Sequence, residues 1–156
     1  MSERVLVTYF SATGTTRRAA EAAAAALGAD LHEIVPEVPY TSADLDWHDG
    51  SSRSSVERGD DACRPPLAGV APDLSPYDLV IVGFPVWWGV EPRAVDTFLD
   101  DVDLAGRRAV AFATSGGSGI GGADRRLREL YPAASWGRGS LVTAASAADW
   151  ARSVAR

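Results

Sequence analysis

The chain has no lysine: all fifteen of its positively charged residues are arginine. That absence excludes a Walker-type phosphate-binding lysine and a Schiff-base lysine. Cysteine is almost as scarce. Cys63 stands alone, so no intrachain disulfide can form and no cysteine-based metal or iron–sulfur centre can be assembled. Long apolar runs are missing too; none approaches the roughly 18 residues of a membrane-spanning helix. The opening MSERVLVTYF moves straight into a strand-like pattern, with neither a basic n-region nor an apolar signal core. The cytoplasm is therefore the expected location, with no membrane partner. Positive charge is in deficit, with a formal net charge of −6 and a pI near 4.8. Such a balance argues against nucleic acid as a partner. An acidic surface suits solubility, or docking to a basic partner protein.

What is present is an ordinary globular composition, 46% hydrophobic and 23% charged, in 156 residues. That length fits a single domain spanning 1–156. Three apolar runs, Val5–Phe10, Leu79–Gly83 and Ala109–Ala113, each end in a turn rich in Gly or Ser/Thr. Near-continuous hydrophobicity, rather than alternation, marks strands covered by helices on both faces. A weaker run, Leu31–Val35, supplies a second strand, and Gly139–Val142 or its neighbourhood a fifth. Helical stretches lie between them. Thr15–Leu27 is dominated by alanine, the best helix former, and stops at Gly28, a natural C′ residue. Pro92–Leu99 opens with proline in its first turn and carries Val95, Phe98 and Leu99 at helical spacing. Ala123–Leu130 and Ala144–Val154 complete the set. Alternating strands and helices predict a doubly wound parallel sheet. From Pro36 to Pro72, however, few residues are apolar, and a structureless loop that long inside a compact domain tends to be functional. Within it, Ser52–Arg58 is a candidate short helix, with Arg53 and Glu57 paired one turn apart.

Three loops carry the chemistry. The first, Ser11-Ala12-Thr13-Gly14-Thr15-Thr16, leaves the first strand and opens the first helix. Free N–H groups and the positive end of the helix dipole meet there, both suited to a phosphate. Four hydroxyls add donors, and Gly14 lets the backbone curl around an anion. An ordinary Ser/Thr cap accounts for one hydroxyl, not four around a glycine. The second loop, Phe84-Pro85-Val86-Trp87-Trp88-Gly89, follows the third strand. Neighbouring side chains diverge, so two adjacent tryptophans cannot easily both be core. One of them offers an aromatic plane for a flat ring such as isoalloxazine; packing on the polar loop, or a dimer contact, is the alternative. The third, Thr114-Ser115-Gly116-Gly117-Ser118-Gly119, follows the fourth strand, and its glycines let the backbone approach a ligand closely. Gly117, Gly119 and Gly122 also match G-x-G-x-x-G, but late in the chain and without a convincing acidic residue about 20 positions on. Plain loop flexibility is the bland reading of this stretch. In a sheet of order 2-1-3-4-5 all three loops reach the switch point between the first and third strands.

These loops resemble those of the flavodoxin superfamily. Ser11–Thr16 looks like its S/T-x-T-G-x-T phosphate loop, and the other two stand at its ring-binding positions. The chain is similar to a bacterial branch with F-P-x-W-W-G and T-S-G-G-S-G loops, and Tyr40, Asp44, Trp47, Arg53, Glu57 and Arg64-Pro65 look like that branch's long second loop. The resemblance implies a flavodoxin-like three-layer α/β sandwich with a five-stranded parallel sheet. It also implies non-covalently bound FMN as cofactor, held by Ser11, Ala12, Thr13, Gly14, Thr15, Thr16, Pro85, Val86, Trp87, Trp88, Gly89, Thr114, Ser115, Gly116, Gly117, Ser118 and Gly119. Short-chain carriers of that superfamily usually place an aromatic residue after the fourth strand. Here Gly117, Ser118 and Gly119 stand instead, so one ring face is either open or covered by the 36–72 loop.

The implied function is electron transfer through FMN between redox partner proteins, the flavin doing the redox chemistry. The alternative is an FMN-dependent NAD(P)H oxidoreductase that reduces a quinone or another small acceptor; a flavin-free binding module is a third. No residue is assigned a catalytic or metal-ligating role. His32 and His48 read as core or surface histidines, and Asp100, Asp101 and Asp103 as a solvated helix end.

Overall fold

The computed structural model describes residues 3–115 and 119–156. Strands β1 (Val5–Tyr9), β3 (Leu79–Pro85) and β4 (Arg108–Thr114) form the centre of a parallel sheet, with β2 (Asp30–Glu33) outside β1. Beyond β4 the edge is built from two short pieces, β5 (Ser135–Trp136) and β6 (Ser140–Leu141), giving the order β2-β1-β3-β4-β5 with β6 also on β4. The helices are α1 (Thr15–Leu27), α2 (Arg53–Arg58), α3 (Arg93–Asp101), α4 (Gly121–Leu130) and α5 (Ala147–Val154). The fold is a flavodoxin-like α/β sandwich.

Side-chain alternation along the buried strands sorts the core into two layers. Val5, Val7, Tyr9, Leu79, Ile81, Val110 and Phe112 face α1 and α5, while Leu6, Phe10, Val80, Val82, Phe84, Ala109 and Ala111 face α3 and α4. Helix α1 meets the sheet through Ala19, Ala20, Ala23 and Ala24, all buried. Small side chains let its backbone lie close, and Gly28 closes it in the left-handed conformation.

Three expectations need correction. Pro92 precedes α3 as its extended N-cap instead of sitting in the first turn, because its ψ of 146° is outside the helical range. The fifth strand starts earlier than Gly139 and is interrupted. Arg128 donates to the carbonyls of Trp136 and Gly137, and Gly139 N–H donates to Asp124 Oδ2, so α4 side chains satisfy the backbone groups the interruption releases. The 36–72 segment is not structureless either. Pro36 and Leu67 form an antiparallel bridge, and α2 carries the expected pair, Arg53 Nε to Glu57 Oε2 at 2.9 Å. None of the described helices is long and apolar enough to cross a membrane.

Candidate functional site

The first and second loops leave the C-terminal ends of β1 and β3, and Thr114 and Ser115, which open the third, stand at that of β4. Phe10 N–H donates to the Gly83 carbonyl and Val86 N–H to the Thr114 carbonyl, so the strand ends stay paired as they splay into loops. Thr16 Oγ1 lies 2.8 Å from Thr114 Oγ1, both residues buried, which ties the start of α1 to the end of β4. The crevice lies at the switch point of the sheet, where ligands of such folds bind.

Gly14 is the N-cap of α1 and adopts φ 92°, a conformation that favours glycine. Having no side chain, it caps nothing. Ser11 Oγ instead turns into the loop and accepts from Gly14 N–H at 3.0 Å and Arg17 N–H at 3.2 Å. The backbone N–H groups of Thr13, Thr15 and Thr16 have no acceptor among the described residues. Thr13 and Thr15 are exposed with their hydroxyls 3.5 Å apart. The four hydroxyls therefore divide: Ser11 and Thr16 brace the loop, and Thr13 and Thr15 face out.

In the second loop, Trp87 and Val90 exchange backbone hydrogen bonds of 3.0 and 3.2 Å around Trp88 and Gly89. Both central residues have positive φ, 51° and 81°, which makes this a tight turn of the I′ kind. For a tryptophan that conformation costs of order 1–3 kcal/mol and persists only where the surroundings impose it. The surroundings are plain. A methyl carbon at Gly122, in the first turn of α4, would lie 2.5 Å from the Gly89 carbonyl oxygen, so α4 backs directly onto the turn. Trp87 meets Phe10 at 5.7 Å and Tyr40 at 5.5 Å between ring centroids, both T-shaped. Tyr40 in turn lies 3.8 Å below the Arg53 guanidinium and donates its hydroxyl to Glu57. The long second loop thus reaches the site through Tyr40. Burial and the Glu57 carboxylate push the Tyr40 phenol far above its ordinary value, so it stays a donor. Trp88 has Arg58 over its ring at 5.8 Å.

Behind this turn lies a buried ionic cluster that the sequence reading missed. Glu91, directly after the turn, is 1% exposed, and its Oε2 accepts from Arg126 Nε of α4 at 2.9 Å. Arg126 also reaches Asp96 Oδ2 at 3.2 Å. Arg93, 3% exposed, donates to the carbonyls of Arg58 and Asp60 and to Asp61 Oδ1. Desolvation and the neighbouring Asp96 carboxylate push Glu91 up to about 9. Burial therefore favours the neutral form of Glu91. The one available signal was Asp96, a charged residue three positions before Leu99 at the edge of an apolar stripe.

Of the third loop, Thr114 is buried at the end of β4, while Ser115 and Gly119 are exposed. Gly116, Gly117 and Ser118 lie outside the described residues. His32 is structural: its Nδ1 lies 3.0 Å from Thr8 Oγ1 and its ring packs on Phe98, and burial lowers its pKa. His48 stacks on Trp47 at 3.7 Å in the exposed part of the long loop.

A family model described as Flavodoxin matches residues 4–154. The chain belongs to the flavodoxin family. Among solved structures, a candidate flavoprotein from Bacteroides uniformis is 44% identical, with a TM-score of 0.92 over 97% of this chain and 99% of that one. A second, from Bacteroides eggerthii, is also 44% identical, with a TM-score of 0.90 over 97% and 98%. A Lactobacillus acidophilus flavoprotein solved in complex with FMN is 22% identical and shares the fold, with a TM-score of 0.68 over 96% and 99%. No curated protein matches.

Proposed function

We propose that this flavodoxin-family chain binds FMN in the crevice between the Ser11–Thr16 loop and the Trp87–Val90 turn, and that it transfers electrons between redox partners. One observation carries the reading. An open helix N-terminus with unused N–H groups faces the same crevice mouth as an aromatic turn held in a costly backbone conformation. The first suits a phosphate and the second a flat conjugated ring. The fit extends to the absence of lysine, since a phosphate seated on N–H groups and hydroxyls needs none.

Thr13 and Thr15 would offer hydroxyls to the phosphate, and Thr13, Thr15 and Thr16 their N–H groups. Thr16, its hydroxyl facing Thr114, would contribute through its backbone. Trp87 would stack on the ring, braced by Phe10 and Tyr40 so that little side-chain freedom is lost on binding. The backbone of the loop from Ser115 to Gly119 would border the ring edge. FMN, when bound, supplies one- and two-electron redox chemistry. The protein's part is to hold the ring, limit water and present it to a partner. The acidic surface supports docking to a basic protein, whereas the aromatic-free 116–119 sequence favours the alternative of an NAD(P)H oxidoreductase.

The purified protein should be yellow and should release FMN, not FAD, on denaturation. No flavin uptake with excess FMN would refute the binding site. A carrier should be reduced hardly at all by free NADPH, but rapidly through a flavoprotein reductase, at a rate that falls steeply with salt. Bleaching by NADH or NADPH alone within about a second would instead establish the oxidoreductase.

A further inference from the structure

The phosphate loop is flanked by two consecutive arginines whose surroundings differ. Arg17 is committed. Its Nη2 lies 2.8 and 2.7 Å from the two carboxylate oxygens of Glu33 on β2, and this pairing raises its pKa. Arg18 has no carboxylate or hydrogen-bond partner among the described residues. Glu21, within helical reach of both, pairs with neither. The fourth helical position of α1 sends its side chain back toward the helix N-terminus. Accordingly, a methyl carbon at Gly14 would lie 3.6 Å from Arg18 Nη1. The unpaired guanidinium therefore rests against the centre of the loop that the FMN reading assigns to the phosphate.

We propose that Arg18 is the charge clamp of this site, closing over the phosphate and favouring the phosphorylated flavin. The inference rests on the FMN reading and deepens it. A phosphate monoester carries about −1.5 to −2 charge at pH 7. The loop's own donors, N–H groups and two threonine hydroxyls, are neutral and leave that charge uncompensated. A guanidinium adds planar, charge-assisted hydrogen bonds that a neutral donor does not match. Arg17 does not compete for the role, because Glu33 already neutralises it. Arg18 sits at the open side of the loop, so it can swing to admit the ligand without disturbing the buried Thr16–Thr114 contact.

The test is titration of flavin fluorescence with FMN and with riboflavin, using wild type, Arg18→Gln, Arg18→Lys, Arg17→Gln and Thr15→Ala. Far-UV circular dichroism confirms that each variant folds. Arg18→Gln should weaken FMN about 10- to 150-fold, the loss expected for a hydrogen bond to a charged group, and riboflavin less than about 2-fold. Arg18→Lys should keep FMN within about 3-fold of wild type, and Arg17→Gln should have little effect. The salt dependence of FMN binding should flatten in Arg18→Gln alone. If Arg18→Gln leaves FMN affinity and its salt dependence unchanged while Thr15→Ala loses FMN selectively, the clamp is refuted and the phosphate loop stands. If neither variant alters the FMN-to-riboflavin ratio, both the clamp and the phosphate site fall.

Discussion

The Ser11–Thr16 loop and the Trp87–Val90 turn face the same crevice, yet they are held in opposite ways. The Ser11–Thr16 loop is largely self-supporting: Ser11 receives the N–H groups of Gly14 and of the adjoining Arg17, and Gly14 supplies the positive φ. Among the described residues, its side-chain hydrogen bond to a distant element goes to Thr114. The tryptophan turn, by contrast, depends on residues far along the chain. Gly122 backs it, Tyr40 braces Trp87, and Glu91 anchors its exit to Arg126. One region can be altered a hydroxyl at a time with local consequences. The other will move when distant side chains are changed.

Arg126→Ala should give the largest effect. Removing the guanidinium takes the donor from Glu91 Oε2 and leaves Asp96 with the Tyr131 hydroxyl and Arg93, at a cost of about 3 kcal/mol of stability. Urea unfolding measures the loss, and a change below about 1 kcal/mol would mean that the cluster does not hold the turn. Trp87→Ala should weaken FMN binding by about 1–3 kcal/mol through lost aromatic area and stacking. Trp88→Ala should do less. Equal affinity for FMN in both variants and wild type would remove the tryptophans from the site.

In the Ser11–Thr16 loop the effects shrink and separate. Thr15→Ala should cost about 1.5 kcal/mol of FMN binding, the low end for a bond to a charged group because the residue is exposed. Riboflavin binding and the melting temperature should hardly change. Thr16→Ala should show the reverse pattern, losing about 1 kcal/mol of stability as Thr114 forfeits its partner. Calorimetry beside flavin titration distinguishes the two, and identical behaviour would erase the division between outward and bracing hydroxyls.

The last effect is one of slope: Glu91→Gln, which mimics the protonated acid, removes the pH dependence that Glu91 gives the fold. Burial and Asp96 raise the folded pKa to about 9, above the unfolded value of about 4.3. A raised folded pKa means that its contribution to stability is fully present below the unfolded value and is lost progressively as pH climbs to about 9. The wild type should therefore lose more melting temperature between pH 6 and pH 9 than Glu91→Gln. Parallel curves would show that Glu91 is ionised throughout.

Much of this was legible in the chain because it is local. The ends of α1 follow from an alanine run stopped by Gly28, and the Arg53–Glu57 pair follows from helical spacing inside an otherwise irregular loop. The three buried strands follow from apolar runs, and their loops from the residues that end them. The cluster of Glu91, Arg93, Asp96 and Arg126 was hidden because its members are up to 35 residues apart in contact. Charged side chains on a helix ordinarily signal solvent, and only the packing of α3 against α4 turns them inward. The interrupted fifth strand was hidden likewise, since its pairing groups are satisfied by Arg128 and Asp124 of a helix.

By itself, then, the sequence determined the order of elements, the helix-start loop and the identity of the aromatic loop, all consequences of short-range periodicity and turn chemistry. Tertiary structure decided which hydroxyls face outward, which arginine is free and how the two tryptophans are divided. It set α4 against the turn that holds Trp88 at positive φ, and drew the 36–72 segment onto the candidate site through Tyr40. Those choices depend on close packing and on the desolvation of charge, which exist only once distant segments touch.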